Sequence, residues 1–202
     1  MSSGAKVDRL IALSVALHLQ EILGPACERI EIAGSLRRGV DKVGDIELVA
    51  VSKLSEPVDL WGNDREPIIG DLVDVLAAGG ELGYRLDARG MRRNGERYKA
   101  LEYRPHAEHV LRDPLPLDLF IVAPPAQWGV IMTIRTGPAV FSHRLVSHAS
   151  LALEDGSRGV LPLYMRVQDG VLWDNGRMVE TPTEESFFAA IGHPWVSPED
   201  RR

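Results

Sequence analysis

The sequence predicts an α+β fold, because segments with the apolar spacing of helices alternate with short apolar runs that are typical of strands. The predicted helices span residues 6–23, 68–78, 125–135 and 138–153, with a last helix that starts near residue 183. The predicted strands span residues 28–33, 45–52, 82–88, 97–103 and 115–122, followed by a short β meander across 160–179.

The ends of these elements are marked by glycine, proline and turn pairs. The first helix ends at Gly24-Pro25 and the second at Gly79-Gly80, pairs that do not continue a helix. Asn94-Gly95 predicts a tight turn between two of the strands. Asp169-Gly170 and Asn175-Gly176 predict the two turns of the meander.

Length and composition predict a soluble globular protein. The chain has 202 residues, of which 45% are hydrophobic and 26% are charged, enough to bury the core of one domain or two small subdomains. Its apolar runs are too short to span a bilayer and its start lacks a signal-peptide pattern, so we expect a cytoplasmic protein with no membrane partner. Cys27 is the single cysteine, which excludes an internal disulfide and favours a place in the core.

The most informative segment is residues 32–49, which read IAGSLRRGVDKVGDIELV. Side chains alternate across a strand, so Asp45 and Glu47 share one face and can bind Mg²⁺ through hard oxygen ligands. The turn before them supplies Gly34, the Ser35 hydroxyl and the Arg38 guanidinium, which suit contacts to phosphate. The spacing matches neither a Walker loop nor a dinucleotide fingerprint. The pattern therefore indicates nucleotidyl transfer with two metal ions.

This segment resembles the palm of DNA polymerase family X, the polymerase-beta-like nucleotidyltransferases. Asp118, the helix predicted after it and Thr136-Gly137 are similar to the family's third palm aspartate and the Thr-Gly turn that follows. Residues 181–202 resemble the end of the family's thumb. The resemblance implies a nucleotidyltransferase palm over residues 1–137, with a mixed β-sheet and helices on one side, and a small α/β thumb over residues 138–202.

The resemblance also implies a function and a set of site residues. It predicts a DNA-directed DNA polymerase of the repair or gap-filling type, with dNTP and a primer–template or gapped DNA as partners. The catalytic residues, which would also hold two Mg²⁺ or Mn²⁺ ions, are Asp45, Glu47 and Asp118. The nucleotide-binding residues are Gly34, Ser35, Arg38, Gly44, Ile134, Arg135, Gly137 and Ser142. The DNA-binding residues are Arg97, Lys99 and Arg144.

The chain departs from the family pattern at several positions. Glu47 stands where the family usually has aspartate, and Pro116 replaces an arginine two residues before Asp118. Ile134-Arg135 replaces an aromatic pair beside the sugar, so we expect weak discrimination against ribonucleotides. Only residues 1–33 precede the Gly-Ser motif. The chain is therefore similar to minimal palm-plus-thumb polymerases of some viruses, and we expect a monomer, in the host cytoplasm or virion if the source is viral.

Charge gives a mixed indication for a nucleic-acid partner. The net charge is −6, but residues 85–104 hold seven arginines and lysines against three acids, a local charge of +4. This segment is a candidate track for a nucleic-acid strand.

Two alternatives stay open beside the polymerase. One is a nucleotidyltransferase that acts on RNA, a protein or a small molecule, and the thumb-like end block argues against it. The other is a non-catalytic nucleic-acid-binding relic, and the presence of all three acids argues against it.

Overall fold

The computed structural model describes residues 6–56, 65–105, 111 and 113–201. The chain divides into two compact units. Unit one consists of Met1–Ile32 and Val40–Ile121, and unit two of Ala33–Gly39 and Val122–Arg202. The predicted α+β class is confirmed. The predicted palm and thumb boundary after residue 137 stays a prediction.

The secondary structure follows the predicted order. The strands are β1 (Val7–Asp8), β2 (Cys27–Ile32), β3 (Lys42–Val43), β4 (Ile46–Ser52), β5 (Leu82–Tyr84), β6 (Tyr98–Tyr103), β7 (Leu115–Ile121), β8 (Met165–Gln168), β9 (Val171–Asp174) and β10 (Arg177–Val179). The helices are α1 (Arg9–Leu23), α2 (Gly34–Arg37), α3 (Ile69–Ala78), α4 (Trp128–Thr136), α5 (Ala139–Val146) and α6 (Glu184–Ala190).

Unit one is built on a five-stranded mixed sheet in the order β2-β4-β7-β6-β5. β4 and β7 are parallel, and the other neighbours are antiparallel. Two helices cover one face. The His18 ring of α1 lies 5.9 Å from the Tyr103 ring, and a Cβ on Gly70 of α3 would lie 3.7 Å from the Lys99 ammonium. Because Tyr103 and Lys99 alternate with outward residues in β6, both helices pack on the same face of the sheet.

The opposite face of this sheet carries the acidic residues. Leu48 and Leu119 are fully buried on the helix-covered side. Strand alternation therefore places Glu47 and Asp118 on the other side. Cys27 is 7% exposed, as expected of a core residue, and burial raises the pKa of its thiol to about 11.

Unit two combines helices α4, α5 and α6 with an antiparallel sheet in the order β10-β9-β8. The meander turns are confirmed. Asp169 and Gly170 have φ of 54° and 75°, and Asn175 and Gly176 have φ of 46° and 81°, the left-handed pairs that a type I′ turn requires. The core of the unit is made of Val130, Leu145, Leu161, Met165, Leu172, Phe187, Phe188 and Ile191.

Two predicted elements are longer than the observed ones. The helix predicted over 138–153 ends at Val146, because Ser147 turns extended and its carbonyl accepts a bond from the Leu161 amide at 2.9 Å. The strand predicted over 82–88 ends at Tyr84. Asp87 then folds the chain into a turn, since its Oδ1 accepts the amides of Arg89 and Met91.

The first turn of α4 packs too closely on the segment before α6 for any side chain. The Gly129 amide donates to the Thr181 carbonyl at 2.7 Å, and the Thr181 hydroxyl donates to the Ala126 carbonyl at 2.7 Å. A Cβ on Gly129 would collide with the Thr183 carbonyl. Glycine at this position is therefore a packing requirement of unit two.

We expect Gly129→Ala to destabilise the protein by about 1–3 kcal/mol, because the collision is with backbone and outweighs the better helix propensity of alanine. The measurement is the urea midpoint. Gly24→Ala is the matched control, since Gly24 has helical dihedrals and no atom lies within 4 Å of its Cβ position. Equal midpoints for the two variants would contradict the packing argument.

Candidate active site

Two of the three predicted acids share one face of the unit-one sheet. Glu47 is the second residue of β4 and the register partner of Asp118 in β7, and register partners in neighbouring strands point to the same face. Asp45 comes directly before β4, outside the strand. All three are half-buried. The sheet therefore brings Glu47 and Asp118 together, and the place of Asp45 beside them stays a prediction.

Asp118 is held by two donors, Tyr98 from the neighbouring strand β6 and Arg85 from just after β5. The Arg85 guanidinium forms an ion pair with its Oδ1, and the Tyr98 hydroxyl donates to the same oxygen at 2.9 Å. Arg85 follows β5, and its amide donates to the Ala100 carbonyl of β6 at 3.0 Å. Burial raises the pKa of Tyr98, and its hydrogen bond to Asp118 adds to this shift.

Arg85 and Tyr98 contact Asp118 and were not among the predicted site residues. Tyr98 could have been found, because strand alternation puts it on the same face as Ala100, the register partner of Asp118. Arg85 gave no comparable indication, since it reaches Asp118 from a strand end 33 positions earlier in the chain.

The acids fit a divalent cation in chemical type, and the strand register pairs two of them, Glu47 and Asp118. Carboxylate oxygens are the ligands that Mg²⁺ and Mn²⁺ prefer. In residues 6–56, 65–105, 111 and 113–201, however, no group of three His, Cys, Asp or Glu side chains is close enough to hold a metal ion. Arg85 and Tyr98 contact Asp118 instead. The two-ion site stays a prediction.

The Gly-Ser motif lies in unit two and forms the short helix α2. Gly34 has φ of 68° and Gly39 has φ of 77°, left-handed values that explain glycine at both positions. Arg38 donates through Nη1 to the Thr136 carbonyl at 2.5 Å, and Arg37 donates through Nη1 to the Thr136 hydroxyl at 2.8 Å. The motif is thus tied to the predicted Thr-Gly turn.

An ion triad also anchors α2, in which Glu184 and Arg201 are buried and Arg37 is half-buried. The Arg37 Nη2 lies 2.6 Å from Glu184 Oε2, and the Arg201 Nη1 lies 2.7 Å from Glu184 Oε1. The Arg201 side chain is fully buried and its guanidinium lies 5.5 Å from the Phe188 ring centre. Burial raises the pKa of Glu184, but the bonds from Arg37 and Arg201 outweigh it and lower the pKa overall.

The residues predicted at the sugar make structural contacts in unit two. The Ser142 hydroxyl donates to the Ile134 carbonyl at 2.7 Å, and Ser142 is 7% exposed. A Cβ on Gly137 would come within 2.6 Å of the Ser142 Oγ, which explains the glycine. Ile134 packs against the unit-two core, and Arg135 is half-buried. The nucleotide contacts predicted for these residues stay predictions.

The remaining predicted residues differ in exposure. Arg97 and Arg144 are exposed, and Ser35 and Gly44 are half-buried. Lys99 is 6% exposed on the helix-covered face, where its ammonium donates to the Asn94 Oδ1 at 2.6 Å and burial lowers its pKa. This position does not support the predicted contact between Lys99 and DNA.

Comparison with known proteins gives one distant similarity. No family model matches the chain. DNA polymerase lambda of Rattus norvegicus is 24% identical over 198 residues, which are 98% of this chain and 32% of the polymerase. The chain thus spans about a third of the length of that relative. Among the helices that the structure describes, none has the length and apolar character to cross a membrane.

We expect Glu184→Gln to destabilise the protein by about 3–5 kcal/mol at pH 7, because it leaves Arg201 buried without its carboxylate. In the wild type the lowered pKa of Glu184 adds stability that is complete above about pH 4.5 and is lost as the pH falls through the folded-state value. The variant should lack this acid-dependent loss. Urea midpoints across pH 3–7, followed by tryptophan fluorescence, measure both effects.

The matched control is Glu185→Gln, because Glu185 is the exposed neighbour of Glu184 on α6. If the two variants showed the same midpoint and the same acid dependence, the triad would have no role in holding unit two together.

Proposed function

We propose that this chain is a nucleotidyltransferase that adds a dNMP unit from a dNTP to the 3′-hydroxyl of a DNA primer and releases pyrophosphate. The observation that carries the proposal is the strand register, which sets Glu47 beside Asp118. Asp45 comes two positions before Glu47 and would complete the set of acids. The distant similarity to DNA polymerase lambda supports the same chemistry. Gap filling in repair is the proposed biological form of the reaction.

The residues of unit one would bind the metals and orient the hydroxyl. Asp45 and Glu47 would hold both ions, and Asp118 would hold the ion nearest the primer hydroxyl. Two Mg²⁺ ions, when bound, supply charge stabilisation to the attacking and leaving oxygens. The carboxylates would thus orient the primer hydroxyl.

The residues of unit two would bind the triphosphate. Arg38 is the charged candidate, because guanidinium groups make paired bonds to phosphate oxygens. The Ser35 hydroxyl and the backbone at Gly34 would add neutral donors. Arg37 contacts Glu184 and Thr136, and its role would be to hold the segment in place through these bonds.

We expect Asp118→Asn to lower primer extension by at least about a hundredfold, because the neutral amide loses the charge that stabilises the reacting oxygens. DNA affinity should change little, since Asp118 is assigned to metal and not to the strand. The assay uses a one-nucleotide-gapped duplex, Mg²⁺ or Mn²⁺ and each labelled dNTP or NTP. Fluorescence anisotropy of the same duplex measures affinity.

Asp113→Asn is the control, because Asp113 is an exposed acid just before β7. It should extend the primer like the wild type. Extension by the complementary dNTP alone supports the proposal. Extension without regard to the template, or of RNA only, would favour a nucleotidyltransferase with another acceptor. Tight binding without extension by the wild type would favour the non-catalytic relic.

A further inference from the structure

Both acceptor positions of one Asp118 oxygen are taken by protein donors. The Arg85 guanidinium and the Tyr98 hydroxyl both bond to Oδ1. An ionised carboxylate offers about four lone-pair sites over its two oxygens, so two donors fill one oxygen. A cation that binds this oxygen therefore meets a positive guanidinium and a hydroxyl proton already in place. Charge repulsion and occupancy both oppose cation binding there.

Arg85 is placed so that it can leave Asp118 without disturbing the sheet. Its backbone amide is fixed to the Ala100 carbonyl, but its side chain is 31% exposed. A cavity of about 390 Å³ lies beside the pair, with Arg93, Asp87 and Leu86 among its lining residues. In the part of the chain that the structure describes, the buried Arg85 Nε has no hydrogen-bond partner. The guanidinium therefore has open space next to it and few bonds to break.

We propose that Arg85 is a latch on Asp118: the Arg85 guanidinium must be displaced from Asp118 before a divalent cation can bind the three acids. The inference rests on the proposed function in one respect, that Asp118 is a metal ligand. With the latch closed, Asp118 is neutralised by Arg85 and the site has a low cation affinity. With the latch open, Oδ1 turns to the cation, and Arg85 moves into the neighbouring cavity. Tyr98 is the second, uncharged donor of the same latch.

The test is Mn²⁺ binding to the full chain without nucleotide or DNA, measured by electron paramagnetic resonance. We expect Arg85→Gln to bind Mn²⁺ at least about threefold more tightly than the wild type, because a charged competitor for Oδ1 is removed. Tyr98→Phe should tighten binding less, since it removes a neutral donor. Arg85→Lys keeps the positive charge but loses the planar guanidinium donors, so its Mn²⁺ affinity should lie between those of the wild type and Arg85→Gln.

Arg93→Gln is the matched control for charge alone. Arg93 lines the same cavity and lowers the pKa of Tyr98 by its charge, so its removal changes the local field without touching the bonds to Asp118. The latch requires a larger effect from Arg85→Gln than from Arg93→Gln. Equal effects, or weaker binding in Arg85→Gln, would overturn it. Circular dichroism confirms that each variant is folded, and Arg85→Lys provides the test if Arg85→Gln is not.

Failure of the latch can be told apart from failure of the proposed function. Asp118→Asn, measured in the same way, reports whether Mn²⁺ binding depends on Asp118. If it does and Arg85→Gln has no specific effect, only the latch is wrong. If Mn²⁺ binding is independent of Asp118 in both the wild-type and the Arg85→Gln background, the metal assignment and the latch are both wrong.

Discussion

The parallel pairing of β4 with β7 is the constraint on which the candidate active site depends. It sets Glu47 beside Asp118. A shift of the strand register by one residue would point the Asp118 side chain toward the apolar face that α1 and α3 cover. The register is held by fully buried side chains on that face: Ile46, Leu48, Leu117 and Leu119. Their burial fixes which residues of these two strands point outward. The positions of the charged residues therefore follow from the packing of the uncharged ones.

Unit two depends on a different kind of constraint, an ion triad. Removing three charges from water is costly, and an apolar replacement of similar volume can be as stable. The role of the triad is therefore to fix the position of α2. The fork of Arg37 reaches both Glu184 and Thr136, and Arg38 beside it bonds to the carbonyl of Thr136. A helix of four residues is too short to hold its own place, and these bonds fix it.

Local patterns predicted most of the fold, and contacts between distant segments account for the rest. Strand alternation was the reason to expect Asp45 and Glu47 on one face, and the resemblance to family X was the reason to expect Asp118 beside them; the strand register sets Glu47 beside Asp118, whereas Asp45 precedes β4. The same alternation puts Lys99 on the other face of β6 from Tyr98, so the sequence pattern alone was enough to predict that Lys99 is buried. The resemblance to family X led instead to the expectation that Lys99 contacts DNA. The helix after Pro138 was predicted too long because its apolar spacing continues, whereas pairing of Ser147 with Leu161 ends it. No local sequence pattern predicts that pairing.

The basic segment shows why a local charge count overstates a nucleic-acid surface. Several of its cations are engaged within unit one. Arg85 bonds to Asp118 and Arg104 to Glu102, while Lys99 is buried beside Asn94. Arg104 is exposed as well as paired, and the other exposed cations are Arg89, Arg92, Arg93 and Arg97. Arg92 lies over the Tyr84 ring. A strand of nucleic acid would therefore meet a narrower row of charge than the sequence suggests. The cation beside Asp118 comes from this segment, which divides its charges between contacts within unit one and the solvent.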